Sequence, residues 1–217
     1  PSRKVVQAGI DALKAVWHRG AVDADGKTGD GAGIHVQIPV PFFYDQIERT
    51  GHTPRMDELM AVGQVFLPRT DFGAQETCRT IVETEVLRMG YYIYGWRHVP
   101  VNVSCLGEKA NATRPEIEQL LVSNSKGVDE ETFERELYVI RRRIEKAAQS
   151  AGIHGLYLAS LSCRSIIYKG MFLAEDMSEF YPDLKDERFE SAFALYHQRY
   201  STNTFPQWWL AQPFRML

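Results

Sequence analysis

The stretch YHQRYSTNTFPQWW, from Tyr196 to Trp209, places a cation among hydroxyl groups near the end of an apolar run. Arg199 is followed by Ser201, Thr202 and Thr204, and the preceding run ESAFALY has the composition of a strand. A guanidinium at a strand end can hold a carboxylate through two parallel hydrogen bonds. A ligand or an internal Asp or Glu could supply that carboxylate, and the residues alone leave both alternatives open.

Hydrophobic periodicity predicts helices along the first 150 residues. The residues Val6, Ile10, Leu13 and Trp17 follow a 4-3-4 spacing over positions 3–17, and Gly20 is placed to end that helix. The other predicted helices begin at Pro41, at the N-cap Asp71 (apolar face Cys78, Ile81, Val82, Val86 and Met89), at Pro115 (running to Leu121) and at the N-cap Asp129 (apolar face Phe133, Leu137, Ile140, Ile144 and Ala148).

Runs rich in β-branched and aromatic residues predict six strands. LYLASLSC and SIIYKGMF follow each other closely, so they are candidates for pairing with one another. Helices and strands come in groups instead of strict βαβ alternation, which favours an α+β fold with antiparallel sheet. The predicted strands are IHVQIPV (34–40), MAVGQVFLP (60–68), YYIYGWRHVPV (91–101), LYLASLSC (156–163), SIIYKGMF (165–172) and ESAFALYHQRYST (190–202).

Composition excludes several classes of protein. The chain has 217 residues, of which 44% are apolar and 24% charged, a mix that argues against disorder and against a membrane span. A net charge of −3 gives no reason to expect nucleic acid as a partner. Cys78, Cys105 and Cys163 are odd in number and widely spaced, so we expect reduced thiols and no metal site.

The loop from Gly20 to Gly33 is rich in glycine and aspartate. It lacks the first glycine of a phosphate-binding P-loop, the spacing of a dinucleotide-binding loop and the closing Glu of a calcium-binding EF-hand. The simplest interpretation is a tight turn into a buried strand. The alternative is a loop that approaches an active site, with Gly29, Asp30 and Gly31 allowing close contact to the backbone.

Several segments together resemble the class II glutamine amidotransferase domain of glutamate synthase large subunits. The resemblance covers nearly the whole chain, and its most specific parts are the segments 17–34 and 181–206. These segments are WHRGAVDADGKTGDGAGI (17–34), GYYIYGWRHVP (90–100), LGEKANATRPEIEQ (106–119), RSIIYKGM (164–171), YPDLKDERFESAFALYHQRYSTNTFP (181–206) and AQPFRML (211–217).

The resemblance implies the fold of an N-terminal nucleophile hydrolase, a four-layer αββα sandwich. In the amidotransferase family that the chain resembles, the nucleophile is an N-terminal Cys, which attacks the glutamine amide and whose own α-amine accepts the thiol proton. By motif position, Arg199 would clamp the substrate α-carboxylate, and Ser201 and Thr202 would contact the substrate beside it. Arg19 would lie near the nucleophile, and Gly29, Asp30 and Gly31 would shape the adjoining turn.

The sequence departs from the family pattern at both ends. It begins with Pro1 where the family has a short strand led by the catalytic Cys, and it stops before the family's HNGEIN segment, which carries the oxyanion donors. We therefore expect residues 1–217 to be an amidotransferase domain truncated at both ends, with part of a glutamine pocket and no catalytic residue. The chain alone is predicted to be inactive.

For the parent protein, the resemblance implies glutamine hydrolysis and delivery of ammonia to a site where 2-oxoglutarate is aminated. No cofactor is expected in this chain, whereas FMN and an iron–sulfur cluster would lie elsewhere in the parent. Its partners would be L-glutamine, the remaining synthase domains and a small reductase subunit, with no nucleic acid and no membrane. The location would be the cytoplasm, or the plastid in a plant. The alternative is a non-catalytic regulatory or interaction domain that keeps an amidotransferase shell.

Overall fold

A computed structural model of the chain describes residues 1–199 and 204–214. Within these residues none of the helices combines the length and hydrophobicity that crossing a bilayer requires. The helices are α1 (Arg3–Ala15), α2 (Val40–Arg49), α3 (Phe72–Arg88), α4 (Glu108–Ala112), α5 (Glu130–Ser150) and α6 (Met177–Phe180). The strands are β1 (Ala32–Gln37), β2 (Met60–Leu67), β3 (Tyr92–His98), β4 (Glu116–Ser123), β5 (Tyr157–Ser162), β6 (Ser165–Gly170) and β7 (Ala194–Gln198).

The chain forms two compact units. The first contains residues 1–39, 99–114 and the described part of 167–217, and the second contains residues 40–98 and 115–166. A three-stranded sheet with the order β6-β1-β7 belongs mainly to the first unit, and a four-stranded sheet with the order β3-β4-β2-β5 to the second. The predicted α+β class is therefore confirmed, and two sheets that carry helices agree with an N-terminal nucleophile hydrolase type.

The second unit is built on a sheet in which β2, β4 and β5 are almost completely buried. All eight residues of β2 are buried, and β2 pairs antiparallel with β4 on one side and with β5 on the other. Helices α3 and α5 cover this sheet with the predicted apolar faces, and each fully buried aliphatic or aromatic side chain contributes about 1.5–3 kcal/mol. The predicted caps are also present, because Asp71 accepts a hydrogen bond from Ala74 N (2.9 Å) and Asp129 from Thr132 N (3.0 Å).

The predicted short helix from Pro115 to Leu121 is wrong. Residues 116–121 belong to β4, which lies between β3 and β2 and is buried from Ile117 onward. Because both faces of this strand are buried, including its polar Glu118 and Gln119, the run lacks the regular apolar–polar alternation that distinguishes a strand from a helix. Pro115 precedes the strand, where its missing N–H removes no ladder hydrogen bond.

The first unit packs α1 against the three-stranded sheet. Val6, Ile10 and Leu13 are buried as predicted. Trp17 is not part of that face: α1 ends at Ala15, and Trp17 begins a 3-10 turn in which its side chain is 67% exposed. Gly20 follows this turn and not the α-helix itself.

The predicted pairing of LYLASLSC with SIIYKGMF is also wrong. Strand β5 pairs with β2, whereas β6 lies next to β1 in the other sheet. Ser162 holds the short connection, since its Oγ accepts hydrogen bonds from Arg164 N (2.9 Å) and Ser165 N (3.2 Å). Proximity in sequence favours a hairpin, but two buried strands can each satisfy their backbone groups in separate sheets.

Candidate functional site

The end of β7 brings Arg199 next to the glycine-rich loop. Strand β7 pairs antiparallel with β1, with Ala32 opposite Gln198, and Arg199 N continues the ladder by donating to Gly31 O (2.8 Å). Because side chains alternate along a strand, Gln198 and Arg199 point to opposite faces of the sheet. Gln198 lies on the α1 side, where its side chain packs against Gly20.

The guanidinium of Arg199 is only partly satisfied. It is half-buried, and its Nη2 donates to Thr204 Oγ1 (2.5 Å). Among the described residues, its Nη1 is buried without a hydrogen-bond partner, and no carboxylate pairs with this cation. The alternative of an internal acid thus finds no support in residues 1–199 and 204–214. The predicted contacts Ser201 and Thr202 lie outside the described residues.

The loop between Gly20 and β1 is a tight turn held by its own backbone and by Asp25. Asp23 N donates to Thr28 O (2.9 Å), while Asp25 accepts hydrogen bonds from Thr28 N (2.7 Å) and Thr28 Oγ1 (2.5 Å). The Thr28 hydrogen bonds lower the pKa of Asp25 well below its ordinary value. Asp23 forms an ion pair with Lys109 of α4 (2.8 Å). These carboxylates bind donors of the protein, as expected for the turn interpretation.

The three residues predicted to shape the loop are buried where the chain approaches itself closely. A Cβ at Gly29 would collide with the carbonyl of Phe172. Gly31 has a φ of +131°, and a Cβ there would lie 2.8 Å from Cβ of Ala211. Asp30 is buried, and its backbone N–H donates to Ala21 O (3.3 Å).

Arg19 lies in the exposed 3-10 turn directly before Gly20. Since Gly20 contacts Gln198 and Gly31 accepts from Arg199, the structure brings the turn of Arg19 and the predicted loop residues to one end of the β1–β7 pair. Their roles in substrate binding stay predictions.

A cavity of about 270 Å³ opens on the α1 side of this strand end. Gln198 lines it, is 8% exposed, and its Oε1 is buried without a hydrogen-bond partner among the described residues. Sequence analysis missed Gln198, although its position directly before Arg199 in a strand could have placed it on the opposite face. The remaining lining residues are Trp17, Gly20, Ala21, Val22, Gly26, Leu173, Ala174 and Glu175.

Within the described part of the chain, one group of side chains offers three metal ligands close together. It consists of His98, Glu116 and Glu118 on β3 and β4. Glu118 is buried, but its carboxylate already accepts hydrogen bonds from Arg79 of α3, including one of 2.9 Å from Nε. Because this guanidinium neutralises the central carboxylate, we assign no ion to the group.

The three cysteines are free, as predicted. Burial raises the pKa of the Cys78 thiol and of the Cys105 thiol to about 11. Burial, together with the neighbouring carboxylate of Glu134, also raises the pKa of Cys163 far above its ordinary value. Since the thiolate is the nucleophile, these raised pKa values do not favour a catalytic role for the three thiols.

Comparison with known proteins shows the family of the chain. The model of the class II glutamine amidotransferases matches residues 1–217. The chain is 70% identical over 217 residues to the glutamate synthase (NADPH) large chain of Azospirillum brasilense, 43% identical over 218 residues to the chloroplastic ferredoxin-dependent glutamate synthase of Oryza sativa, and 40% identical over 218 residues to the glutamate synthase (NADPH) large chain of Bacillus subtilis. These matches cover 98–100% of the chain but only 13–14% of each relative. The chain belongs to the class II glutamine amidotransferase family.

Proposed function

We propose that this chain is part of the glutaminase domain of a glutamate synthase large chain. The parent protein would hydrolyse L-glutamine to glutamate and ammonia and deliver the ammonia to a site that aminates 2-oxoglutarate. Family membership and the names of the relatives support this proposal, with 70% identity to the Azospirillum protein as its strongest part.

The observation that carries the proposal is the incomplete hydrogen bonding of the Arg199 guanidinium. In residues 1–199 and 204–214 its Nη1 is buried without a partner, while its backbone is fixed by Gly31 and its Nη2 by Thr204. A buried donor without an acceptor costs about 1–3 kcal/mol, and more when it is charged. The α-carboxylate of glutamine would supply the acceptor, and a guanidinium held in one orientation suits a planar carboxylate.

The other predicted residues complete this pocket in the proposal. Ser201 and Thr202 would donate hydroxyl hydrogen bonds to the substrate next to Arg199. Arg19 would lie toward the nucleophile, and Gly29, Asp30 and Gly31 would keep the adjoining turn close to the sheet. This chain would therefore bind and orient glutamine, because the raised pKa values of its three thiols do not suit nucleophilic attack.

The remaining parts of the parent enter only as proposals. FMN and an iron–sulfur cluster would belong to other domains, which would also include the amination site, and a small reductase subunit would supply electrons. We propose a cytoplasmic location, while the rice and spinach relatives are named chloroplastic. The alternative of a non-catalytic shell stays a prediction with no specific observation in its favour.

The test is steady-state glutaminase kinetics of the full-length protein that contains this chain, with Arg199→Met as the variant. Loss of one partner from a buried charged pair costs about 2–5 kcal/mol, so the KM for glutamine should rise at least about 30-fold. Arg164→Met is the matched control, because Arg164 makes an exposed ion pair with Glu130 (2.7 Å). An unchanged KM in Arg199→Met, or a wild-type protein without glutaminase activity, would contradict the proposal.

A further inference from the structure

The segment Trp208–Phe214, which we call the anchored segment, lies on glycines of the three-stranded sheet. A Cβ at Gly33 would collide with the carbonyl of Gln212 and would lie 2.9 Å from Cδ of Pro213. At Gly170 a Cβ would collide with the ring of Trp208, and at Gly31 it would lie 2.8 Å from Ala211. Gly31, Gly33 and Gly170 form a glycine floor, which lets the segment approach closer than any side chain would allow.

The anchored segment is also fixed at its first residue. Trp208 is buried, its Nε1 donates to Ala110 O (3.0 Å), and its ring packs against Phe180 with the centroids 5.5 Å apart. One end of the segment therefore has a defined position in the first unit.

Lys169 contacts the anchored segment at its second and at its last residue. It lies on β6 between Tyr168 and Gly170 and is fully buried. Its Nζ donates to Trp209 O (3.1 Å) and lies 4.8 Å from the ring centroid of Phe214. Burying an ammonium is unfavourable, so an amine kept here must make contacts that a neutral side chain could not provide.

The anchored segment begins shortly after the residue that orients Arg199. Thr204 Oγ1 accepts the hydrogen bond from Arg199 Nη2, and three residues separate Thr204 from Trp208. On the other side, Arg199 N is bonded to Gly31, a member of the glycine floor. The guanidinium is thus fixed from its own strand and from the segment that Lys169 holds.

We propose that Lys169 is a positioning residue for the Arg199 clamp. It fixes the backbone of the anchored segment on the glycine floor, and the segment in turn fixes Thr204, which aims the guanidinium. The proposal rests on the proposed function, because Arg199 must bind the glutamine carboxylate for its orientation to matter. Without Lys169 the segment loses the hydrogen bond to Trp209 O, and substrate binding weakens while the groups of the chemical step are unchanged.

The experiment measures KM and kcat for glutamine in the full-length protein with Lys169→Met, Gly33→Ala and Arg199→Met. The Met side chain keeps the length of the lysine stem without the donor. Gly33→Ala instead places a Cβ against Gln212 O and 2.7 Å from Cβ of Lys169, so it displaces the segment from the neighbouring strand while the amine of Lys169 is retained. Misplacement of a substrate-binding group by about 1 Å can cost up to about 100-fold, so both variants should raise KM about 10- to 100-fold. The kcat per folded molecule should stay within about threefold of the wild type.

A purely structural role gives a different result. It lowers the amount of folded enzyme, measured by circular dichroism at the assay temperature, and so lowers the apparent kcat while KM stays constant. Lys185→Met is the matched control, because this exposed lysine forms a surface ion pair with Glu179 (2.7 Å), and the KM of this variant should not change.

The outcomes separate the two proposals. If Arg199→Met raises KM while Lys169→Met and Gly33→Ala do not, the role of Lys169 is refuted and the proposed function stands. If Arg199→Met has no effect on KM, the proposed function itself fails. Should Lys169→Met not fold at the assay temperature, the KM of Gly33→Ala decides, and an unchanged value overturns the positioning role.

Discussion

Lys169 should make the stability of the protein rise with pH. Burial lowers the pKa of Lys169 from 10.5 to about 7. Between these two values the unfolded chain keeps the proton that the folded chain releases. Since the unfolded state then binds more protons, the free energy of unfolding increases with pH in this window. Below about pH 7 both states are protonated, and the full penalty of the buried ammonium remains.

The size of the effect follows from the two pKa values of this one amine. Well above pH 7, each pH unit adds about 1.4 kcal/mol to the free energy of unfolding. From pH 6 to pH 9 the wild type should therefore gain about 2.7 kcal/mol from Lys169 alone. Lys169→Met cannot titrate, so the difference between the two proteins should shift by this amount in favour of the wild type.

The assay is urea unfolding of both proteins at pH 6, 7, 8 and 9, followed by circular dichroism and tryptophan fluorescence. The quantity to compare is the difference in the free energy of unfolding between the wild type and the variant. Groups far from Lys169 titrate equally in both proteins, so their contributions cancel in this difference. A difference that stays constant across the series would refute the reasoning, since it would mean that the amine is solvated in the folded state.

For three further substitutions in the second unit we expect a decrease in the free energy of unfolding, measured by urea unfolding. Glu118→Gln removes the carboxylate that Arg79 holds in a largely buried pair and should cost about 2–4 kcal/mol. Phe133→Ala opens a cavity in the sheet–helix core and should cost about 3–5 kcal/mol. Asp129→Ala removes the N-cap of α5 and should cost about 1 kcal/mol.

The Glu118 and Phe133 substitutions each have a control in the same unit. Glu76→Gln affects the exposed partner of Arg79, and Phe72→Ala removes a ring that is 75% exposed, so both should change stability by less than about 0.5 kcal/mol. A Glu118→Gln effect as small as that of Glu76→Gln would contradict the buried pair. Equal effects of the two Phe substitutions would contradict the placement of Phe133 in the core.

The sequence predicted the long helices correctly because their periodicity spans several turns. In α5 five apolar residues recur over the predicted face behind a capping Asp, and no strand pattern fits that spacing. The run after Pro115 offered only seven residues, and burial on both sides of β4 removed the alternation that would have shown a strand. Trp17 continued the periodicity of α1, but the helix ends at Ala15. Beyond that residue the helical spacing no longer predicts which side chains are buried.

The candidate site was predictable where a residue type has one main use in a given context. An arginine at a strand end beside hydroxyls points to a carboxylate, and the structure shows a partly unsatisfied guanidinium there. Gln198 and Lys169 had no such signal. A glutamine in a strand and a lysine in the run SIIYKGMF are both expected at the surface, and only the packing of distant segments buries them.

This packing explains why a glycine is present at position 31 of the loop. The sequence left open a tight turn or a loop in which Gly31 approaches an active site, and in the structure the space that a side chain at Gly31 would need is occupied by Ala211 of the anchored segment. Gly31 also accepts the backbone hydrogen bond of Arg199. A side chain at this position would therefore displace the segment and disturb the arginine at once. We infer that close contact of backbone with backbone, and not with substrate, is the main reason for glycine at this position.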